Sequence, residues 1–178
     1  AAGKEDFRLV FTSIHGTSIT AIPPVLELAG FKNIDIVKEQ AAPDGDFPTV
    51  KSPNPEETEA LAIAMDLAET KQADMVIGTD PDSDRLGIAV RNPSGTLELL
   101  NGNQTMIVMT EYLLRLAKKK GLKGNEFIAS TITVSQGCLS VARNLSGSIF
   151  RNFSFDLRRR SPGIPPSFSS ASPCGLHR

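Results

Sequence analysis

The chain has 178 residues, which is enough for one domain, or for one domain with part of another. Its 40% hydrophobic and 22% charged residues are typical of a soluble globular protein, and no apolar run reaches the roughly 18 residues of a transmembrane helix. Residues 1–6 have no signal-peptide pattern, and Cys138 and Cys174 have no metal-site spacing. We therefore expect a cytoplasmic protein with free thiols and no membrane partner.

Strand and helix patterns alternate along residues 8–134, which predicts an α/β fold. The predicted strands are residues 8–12, 33–37, 75–79, 86–90, 97–100 and 127–134. The predicted helices are residues 20–29, 55–70 and 103–120. The second helix has the clearest start, because Asn54 can cap it and Pro55 suits its first position.

Two connections in this pattern are rich in polar or turn-forming residues. His15, in the loop after the first strand, is more often structural than catalytic in such a position, because its ring nitrogens readily satisfy backbone groups. Residues 40–54 contain Pro43, Pro48 and Pro53, and a connection of this length tends to be functional or mobile. Neither connection contains a residue that indicates chemistry by itself.

The third strand runs into the loop Asp80-Pro-Asp-Ser-Asp-Arg85, which has three aspartates at every second position. In an extended chain this spacing would put all three carboxylates on one side. Carboxylates this close repel one another unless a positive charge lies between them, and a hard divalent cation prefers oxygen ligands. The loop therefore predicts a metal site, and the alternative is a solvated acidic turn.

Two other acidic-loop families fit poorly. An EF-hand loop needs Gly at its sixth position and Glu at its twelfth, where this chain has Arg85 and Arg91. A haloacid-dehalogenase-type phosphatase also has an Asp-x-Asp pair after an apolar strand, but it has Thr or Val where this chain has Asp84. A hydrolase that uses Asp80 as its nucleophile is therefore disfavoured.

The residues after 135 differ in character from the rest of the chain. They contain six arginines against a single acidic residue, Asp156, and they end in a Ser/Pro-rich stretch at 161–173. A basic end can indicate nucleic-acid binding. The loss of periodicity favours a disordered tail at 136–178, and we expect no nucleic-acid partner. A shifted reading frame would also give so abrupt a change of composition.

The acidic loop resembles that of the α-D-phosphohexomutases, the phosphoglucomutase and phosphomannomutase family, in which a D-x-D-x-D-R pattern holds magnesium. Phe11-Thr-Ser-Ile-His-Gly-Thr17, Pro43-Asp-Gly-Asp-Phe-Pro48 and Pro53-Asn-Pro-Glu56 resemble loops of the same family in the same order. The resemblance spans about residues 8–120. It implies a three-layer α/β/α domain with a mixed, mostly parallel sheet.

The resemblance also implies a domain division and site residues. Residues 1–122 correspond to the family's second domain, residues 123–135 to the first strand of a truncated third domain, and residues 136–178 to nothing in the family. Asp80, Asp82 and Asp84 would hold one Mg²⁺, and Arg85 would position a phosphate or substrate, with salt pairing inside the loop as its alternative. His15 and Gly16 would line the cleft.

The family consists of isomerases that interconvert hexose 1-phosphate and hexose 6-phosphate through a phosphoserine, with a hexose 1,6-bisphosphate as activator. These residues contain neither the Ser-His-Asn-Pro serine loop nor the Gly-Glu-x-Ser-Gly sugar loop, and the phosphate loop of the fourth domain is missing. We therefore expect a central domain that is inactive alone and whose partners are domains I, III and IV and a glucose or mannose phosphate. The alternative is a free-standing α/β module that binds a cation or a basic partner.

Overall fold

The structure, a computed structural model, describes residues 3–121 and two strands at 127–130 and 151–154. Its elements are β1 (Arg8–Thr12), α1 (Ile22–Leu28), β2 (Asn33–Ile36), α2 (Thr58–Lys71), β3 (Met75–Thr79), β4 (Leu86–Arg91), β5 (Leu97–Leu100), α3 (Gly102–Lys120), β6 (Phe127–Ser130) and β7 (Arg151–Ser154). Each predicted helix and strand is present, although residues 131–134 of the last predicted strand lie outside the described residues. The α/β fold class is confirmed.

The first five strands form one mixed sheet in the order β2-β1-β3-β4-β5. β1 pairs in parallel with β2 and β3, and β4 pairs antiparallel with β3 and β5. Parallel pairs therefore do not outnumber antiparallel ones, and the expected parallel majority was wrong. The connections at 80–85 and 92–96 are too short for the crossover that a parallel pair requires.

The hydrophobic core lies between the sheet and α2. Val10, Val76 and Ala89 of the sheet pack with Ala64 and Ala68 of α2 in one buried cluster. Side chains alternate across a strand, so Leu9 and Phe11 point to the other face of β1, and these two are also buried. β1 is therefore covered on both faces, as a three-layer arrangement requires.

The start of α2 differs from the prediction. The helix begins at Thr58, and Glu57 before it has an extended backbone. Asn54 accepts a hydrogen bond from the Glu56 N–H at 3.2 Å and so closes a separate turn instead of capping the helix. The physical reason lies in β4, where the backbone of Gly87 packs directly against Pro55 and fixes residue 55 outside the helix.

α3 has a well-defined start and a loosely packed body. Asn101 and Gln104 form a reciprocal capping box, and three lysines lie in the last turn, where they complement the helix dipole. Several of its apolar side chains are 43–61% exposed, namely Met106, Val108, Met109, Tyr112 and Leu113. Within the described part of the chain, neither α3 nor any other helix has the length and hydropathy needed to cross a membrane.

The last two strands, β6 and β7, form a separate parallel pair. β7 lies in the segment that was predicted to be disordered, and residues 151–154 form a strand instead, because β6 offers partners for their backbone hydrogen-bonding groups. The other residues of the predicted tail lie outside the described residues. So do residues 123–126 and 131–135 of the predicted third-domain strand.

Candidate metal site

The acidic loop, residues 80–85, connects β3 to β4. It follows the carboxyl end of β3, and residues 13–18 follow the carboxyl end of the neighbouring parallel strand β1. Parallel strands bring their carboxyl ends to one edge of a sheet, which is where open α/β sheets bind ligands. We call residues 13–18 the clamp loop, because they contact the acidic loop directly.

The three aspartates converge through a tight turn. The Ser83 N–H donates to the Asp80 carbonyl at 3.1 Å, and Ser83 has a left-handed φ of 65°. One carboxylate oxygen from each of Asp80, Asp82 and Asp84 lies within 4.8 Å of the others. The predicted cluster is therefore present, but it is made by a proline-containing turn and not by alternation along an extended chain.

Asp80 is the buried member of the cluster, and Arg85 is its partner. The Arg85 backbone N–H donates to Asp80 Oδ1 at 2.9 Å, and Arg85 Nε donates to Asp80 Oδ2 at 2.8 Å. Arg85 Nε also lies 3.7 Å from Asp84 Oδ1. The Asp80 side chain is 1% exposed, whereas Asp82 and Asp84 face solvent. Arg85 therefore makes the salt pairing that was its alternative role, and one buried carboxylate anchors two exposed ones.

The environment separates the pKa values of Asp80 and Asp84. Burial works to raise the pKa of Asp80, but hydrogen bonds from the Arg85 backbone and side chain outweigh it and hold that pKa below its usual value. The pKa of Asp84 is raised, because its carboxyl shares a hydrogen bond with Asp80 and lies near the charges of Asp82 and Asp80. Without a cation, the loop therefore keeps Asp80 ionised, whereas Asp84 takes up a proton more readily than an isolated aspartate does.

We expect Asp84→Asn to raise the melting temperature of the metal-free chain at neutral pH. A carboxyl whose folded-state pKa is raised favours folding when protonated, and this contribution is lost as the pH rises through that pKa. The side-chain amide that this substitution introduces can donate to Asp80 at any pH. The gain should therefore shrink as the pH falls below the raised pKa of Asp84. Melting curves in a chelator at about pH 7 and about pH 4 test this.

The matched control for this prediction is Asp66→Asn, since Asp66 is exposed on α2. It removes the same charge from the chain but leaves the acidic loop intact. If the melting temperature rises equally in both variants, the gain in stability comes from the change in net charge and not from the acidic loop. A lower melting temperature in Asp84→Asn would contradict the unfavourable contribution that we ascribe to ionised Asp84 at neutral pH.

The clamp loop holds the acidic loop through backbone contacts. The Thr17 N–H donates to the Pro81 carbonyl at 3.1 Å, and the Thr17 hydroxyl donates to the same carbonyl at 3.3 Å. A Cβ added to Gly16 would lie 2.5 Å from Pro81 Cα and 2.8 Å from the Ser13 carbonyl oxygen, so glycine is required there. Ser18 and Thr79 join the two loops at their bases, with hydroxyl oxygens 2.6 Å apart.

Of the two predicted cleft residues, Gly16 touches the acidic loop and His15 faces away from it. His15 Nδ1 lies 3.2 Å from the Ala42 carbonyl oxygen, and Nε2 lies 2.9 Å from Thr49 Oγ1. Both ring nitrogens are thus used within the fold, in agreement with the structural role that we favoured for this histidine.

A cleft of about 640 Å³ opens beside Arg85. Its walls include Glu56 and the first turns of α3, from Asn101 to Leu113. These residues were not predicted as site residues, although Pro53-Asn-Pro-Glu56 was one of the motifs that carry the resemblance. The cleft makes Arg85 the link between the aspartate cluster and a space large enough for a small ligand.

Comparison with known proteins shows which family the chain is related to. A family model for phosphoglucomutase/phosphomannomutase, alpha/beta/alpha domain II, matches residues 1–95, which include the whole acidic loop. The chain belongs to this family. The matched region ends before β5 and α3, so the sheet continues beyond it.

Two curated relatives are phosphoglucomutases of staphylococci. The one from Staphylococcus aureus is 39% identical over 140 residues, which are 79% of this chain and 25% of that protein. The one from Staphylococcus epidermidis is 38% identical over 130 residues, which are 73% of this chain and 23% of that protein. The chain therefore spans about a quarter of the length of the curated relatives it matches.

Two solved structures share the fold. A phosphoglucomutase/phosphomannomutase family protein from Burkholderia thailandensis has a TM-score of 0.63 at 15% identity, over 84% of this chain and 29% of that one. The Aspergillus fumigatus N-acetylphosphoglucosamine mutase, in complex with GlcNAc-6P and magnesium, has a TM-score of 0.53 at 17% identity, over 88% of this chain and 30% of that one. This level of identity supports the fold of the phosphohexomutases and nothing finer.

Proposed function

We propose that Asp80, Asp82 and Asp84 bind one Mg²⁺ ion. The observation that carries this proposal is the convergence of three carboxylate oxygens within 4.8 Å in a chain of the phosphoglucomutase/phosphomannomutase family. Carboxylate oxygens are the donors that Mg²⁺ prefers, and a single short loop leaves further coordination positions to water and phosphate. The donor set therefore fits the ion.

Each loop residue has a distinct part in this proposal. Asp80, ionised and fixed by Arg85, supplies a preorganised oxygen at the base of the loop. Asp82 and Asp84 supply the exposed oxygens that face an incoming phosphate. Bound Mg²⁺ would neutralise charge on phosphate oxygens during phosphoryl transfer. Arg85 keeps a permanent positive charge at the mouth of the cleft, where it favours an anionic ligand.

We further propose that the chain is the metal-binding central domain of a cytoplasmic phosphohexomutase that interconverts hexose 1-phosphate and hexose 6-phosphate. Its partners would be the serine, sugar-binding and phosphate-binding domains and a hexose phosphate, with a hexose 1,6-bisphosphate as activator. The names of the staphylococcal relatives support phosphoglucomutase chemistry. By itself the chain would bind the metal without turnover, because it contains no serine loop.

The metal proposal is tested by calorimetric titration of Mn²⁺, a stand-in for Mg²⁺, into the 178-residue chain. We expect weak binding by the wild-type chain, since no phosphate completes the coordination shell. Asp82→Asn keeps the shape of the side chain but removes one charge and one strong ligand, and it should lower the affinity at least about tenfold. Asp66→Asn is the charge-matched control and should bind Mn²⁺ as the wild type does. Equal affinity in wild type and Asp82→Asn would show that the loop is an acidic turn only.

A further inference from the structure

The clamp loop contains two consecutive non-glycine residues in the left-handed region. Ile14 has φ 44° and His15 has φ 60°. Ile14 is β-branched and fully buried, which makes its backbone conformation a clear outlier. Strain of this kind is unfavourable, and it persists only where surrounding contacts determine it. Those contacts lie at Gln40 and Thr49, in the connection between β2 and α2.

A closed ring of hydrogen bonds links the clamp loop to that connection. The Ile14 N–H donates to Thr12 Oγ1 at 3.1 Å, and the Thr12 hydroxyl donates to Gln40 Oε1 at 2.6 Å. Gln40 Nε2 donates to Thr49 Oγ1 at 3.1 Å, and Thr49 Oγ1 lies 2.9 Å from His15 Nε2. The hydrogen bonds begin at Ile14 and end at His15, and the peptide bond between these two residues closes the ring. We call these five residues the Gln40 ring.

The side-chain hydrogen bonds of the ring have a fixed order of donors and acceptors. The Ala42 carbonyl can only accept, so His15 Nδ1 carries the proton and, in the neutral imidazole, Nε2 is an acceptor. The Thr49 hydroxyl then donates to Nε2 and accepts from Gln40 Nε2. Among the described residues, every fully buried side-chain nitrogen and oxygen has a hydrogen-bond partner. Loss of the Thr49 hydroxyl would therefore leave Gln40 and His15 each with an unmatched group.

The backbone of the clamp loop is tied to the same residues. The His15 N–H donates to the Gln40 carbonyl at 2.9 Å, and the Ser13 hydroxyl donates to it at 3.1 Å. Gly16 and Thr17 follow immediately and make the contacts to Pro81. The Pro81 carbonyl belongs to the peptide that precedes Asp82. A rotation of that peptide would move the Asp82 carboxylate relative to Asp80.

We infer that the Gln40 ring is a positioning device for the metal site. The ring holds the strained turn at Ile14 and His15 in one conformation. This conformation keeps Thr17 in contact with Pro81. The contact fixes the distance between the carboxylates of Asp80 and Asp82. His15 and Thr49 are thus positioning residues, since neither touches the metal site. This inference rests on the proposed Mg²⁺ site.

Thr49→Val tests the inference, because it keeps the shape of the side chain and removes the hydroxyl that joins Gln40 to His15. We expect the Mn²⁺ affinity of the full chain to fall about tenfold, the lower end of the loss that follows when residues orienting a metal site are changed. We also expect faster amide exchange of Thr17 by NMR without metal, because its bond to Pro81 opens more often. Thr49→Ser restores the hydroxyl and should restore both readouts.

Ala68→Gly serves as the control for lost stability, since Ala68 lies in the core cluster and takes no part in the ring or the loops. It should lower the melting temperature without changing Mn²⁺ affinity or Thr17 exchange. The inference is wrong if Thr49→Val retains wild-type affinity, or if its affinity falls while Thr17 exchange is unchanged. Absence of Mn²⁺ binding by the wild type would refute the proposed Mg²⁺ site itself. In that case Thr17 exchange in Thr49→Val still decides whether the ring holds the clamp loop.

Discussion

The 178-residue chain alone should give the blank rate in a coupled mutase assay with glucose 1-phosphate, Mg²⁺ and a hexose 1,6-bisphosphate. It has three carboxylates to hold a metal but no serine loop to carry the phosphoryl group. A chimera in which the 140 aligned residues of this chain replace their counterparts in the Staphylococcus aureus phosphoglucomutase should catalyse the reaction. Robust turnover by the chain alone would overturn the view that it needs further domains.

Asp82→Asn in that chimera should lower kcat by about 10²–10³, the size of effect seen when one group that stabilises transition-state charge is lost. Asp66→Asn in the chimera should have wild-type activity, and circular dichroism should show both variants folded. If the chimera does not fold, a smaller exchange of residues 75–91 carries the same comparison. Unchanged kcat in Asp82→Asn would remove the acidic loop from the reaction.

Gly87→Ala should have the largest effect on stability. A Cβ at position 87 would overlap the backbone carbonyl group of Pro55, and both residues are buried, so neither can move aside easily. Overpacking of this kind costs about 1–3 kcal/mol and sometimes more, a large part of the roughly 5–15 kcal/mol by which domains are stable. Urea denaturation of the chain should show a midpoint well below that of the wild type.

Gly45→Ala is the matched control for this prediction. Position 45 has open space around it and no positive φ, so an added methyl group meets nothing. A compatible Gly→Ala change is neutral or stabilises by about 0.4–1 kcal/mol, because it restricts the unfolded chain. Equal denaturation midpoints for the two variants would contradict the close approach of Pro55 to β4.

The sequence predicted the parts of the fold that depend on local pattern. Strand bounds followed from apolar runs, and Gly30 and Gly121, both with positive φ, end helices where expected. The start of α2 was missed because Pro55 is fixed by Gly87, a residue far along the chain that no local pattern reveals. The acidic cluster was predictable since its three ligands lie close together in the chain.

The support for that cluster could not be predicted. Gln40 and Thr49 lie in an irregular connection without periodicity, and their role emerges only when the fold brings them to Thr12 and His15. Likewise, the equal number of parallel and antiparallel pairs in the five-stranded sheet depends on which strands become neighbours in the fold. The spacing at 80–85 and 92–96 did contain this information, because hairpin-length loops imply antiparallel pairs.

The change of strand direction at β3 also leads us to expect an order of folding. β3, β4 and β5 pair through short loops, whereas β1 reaches β3 only after a long stretch of chain has been closed, as Leu9 pairs with Met75. Contacts between residues close in sequence form sooner because their loop-closure entropy is smaller. We therefore expect the acidic turn to form early, as a hairpin loop that carries three negatively charged side chains. We expect the clamp loop, which follows β1, to reach the acidic loop later, when β1 pairs with β3.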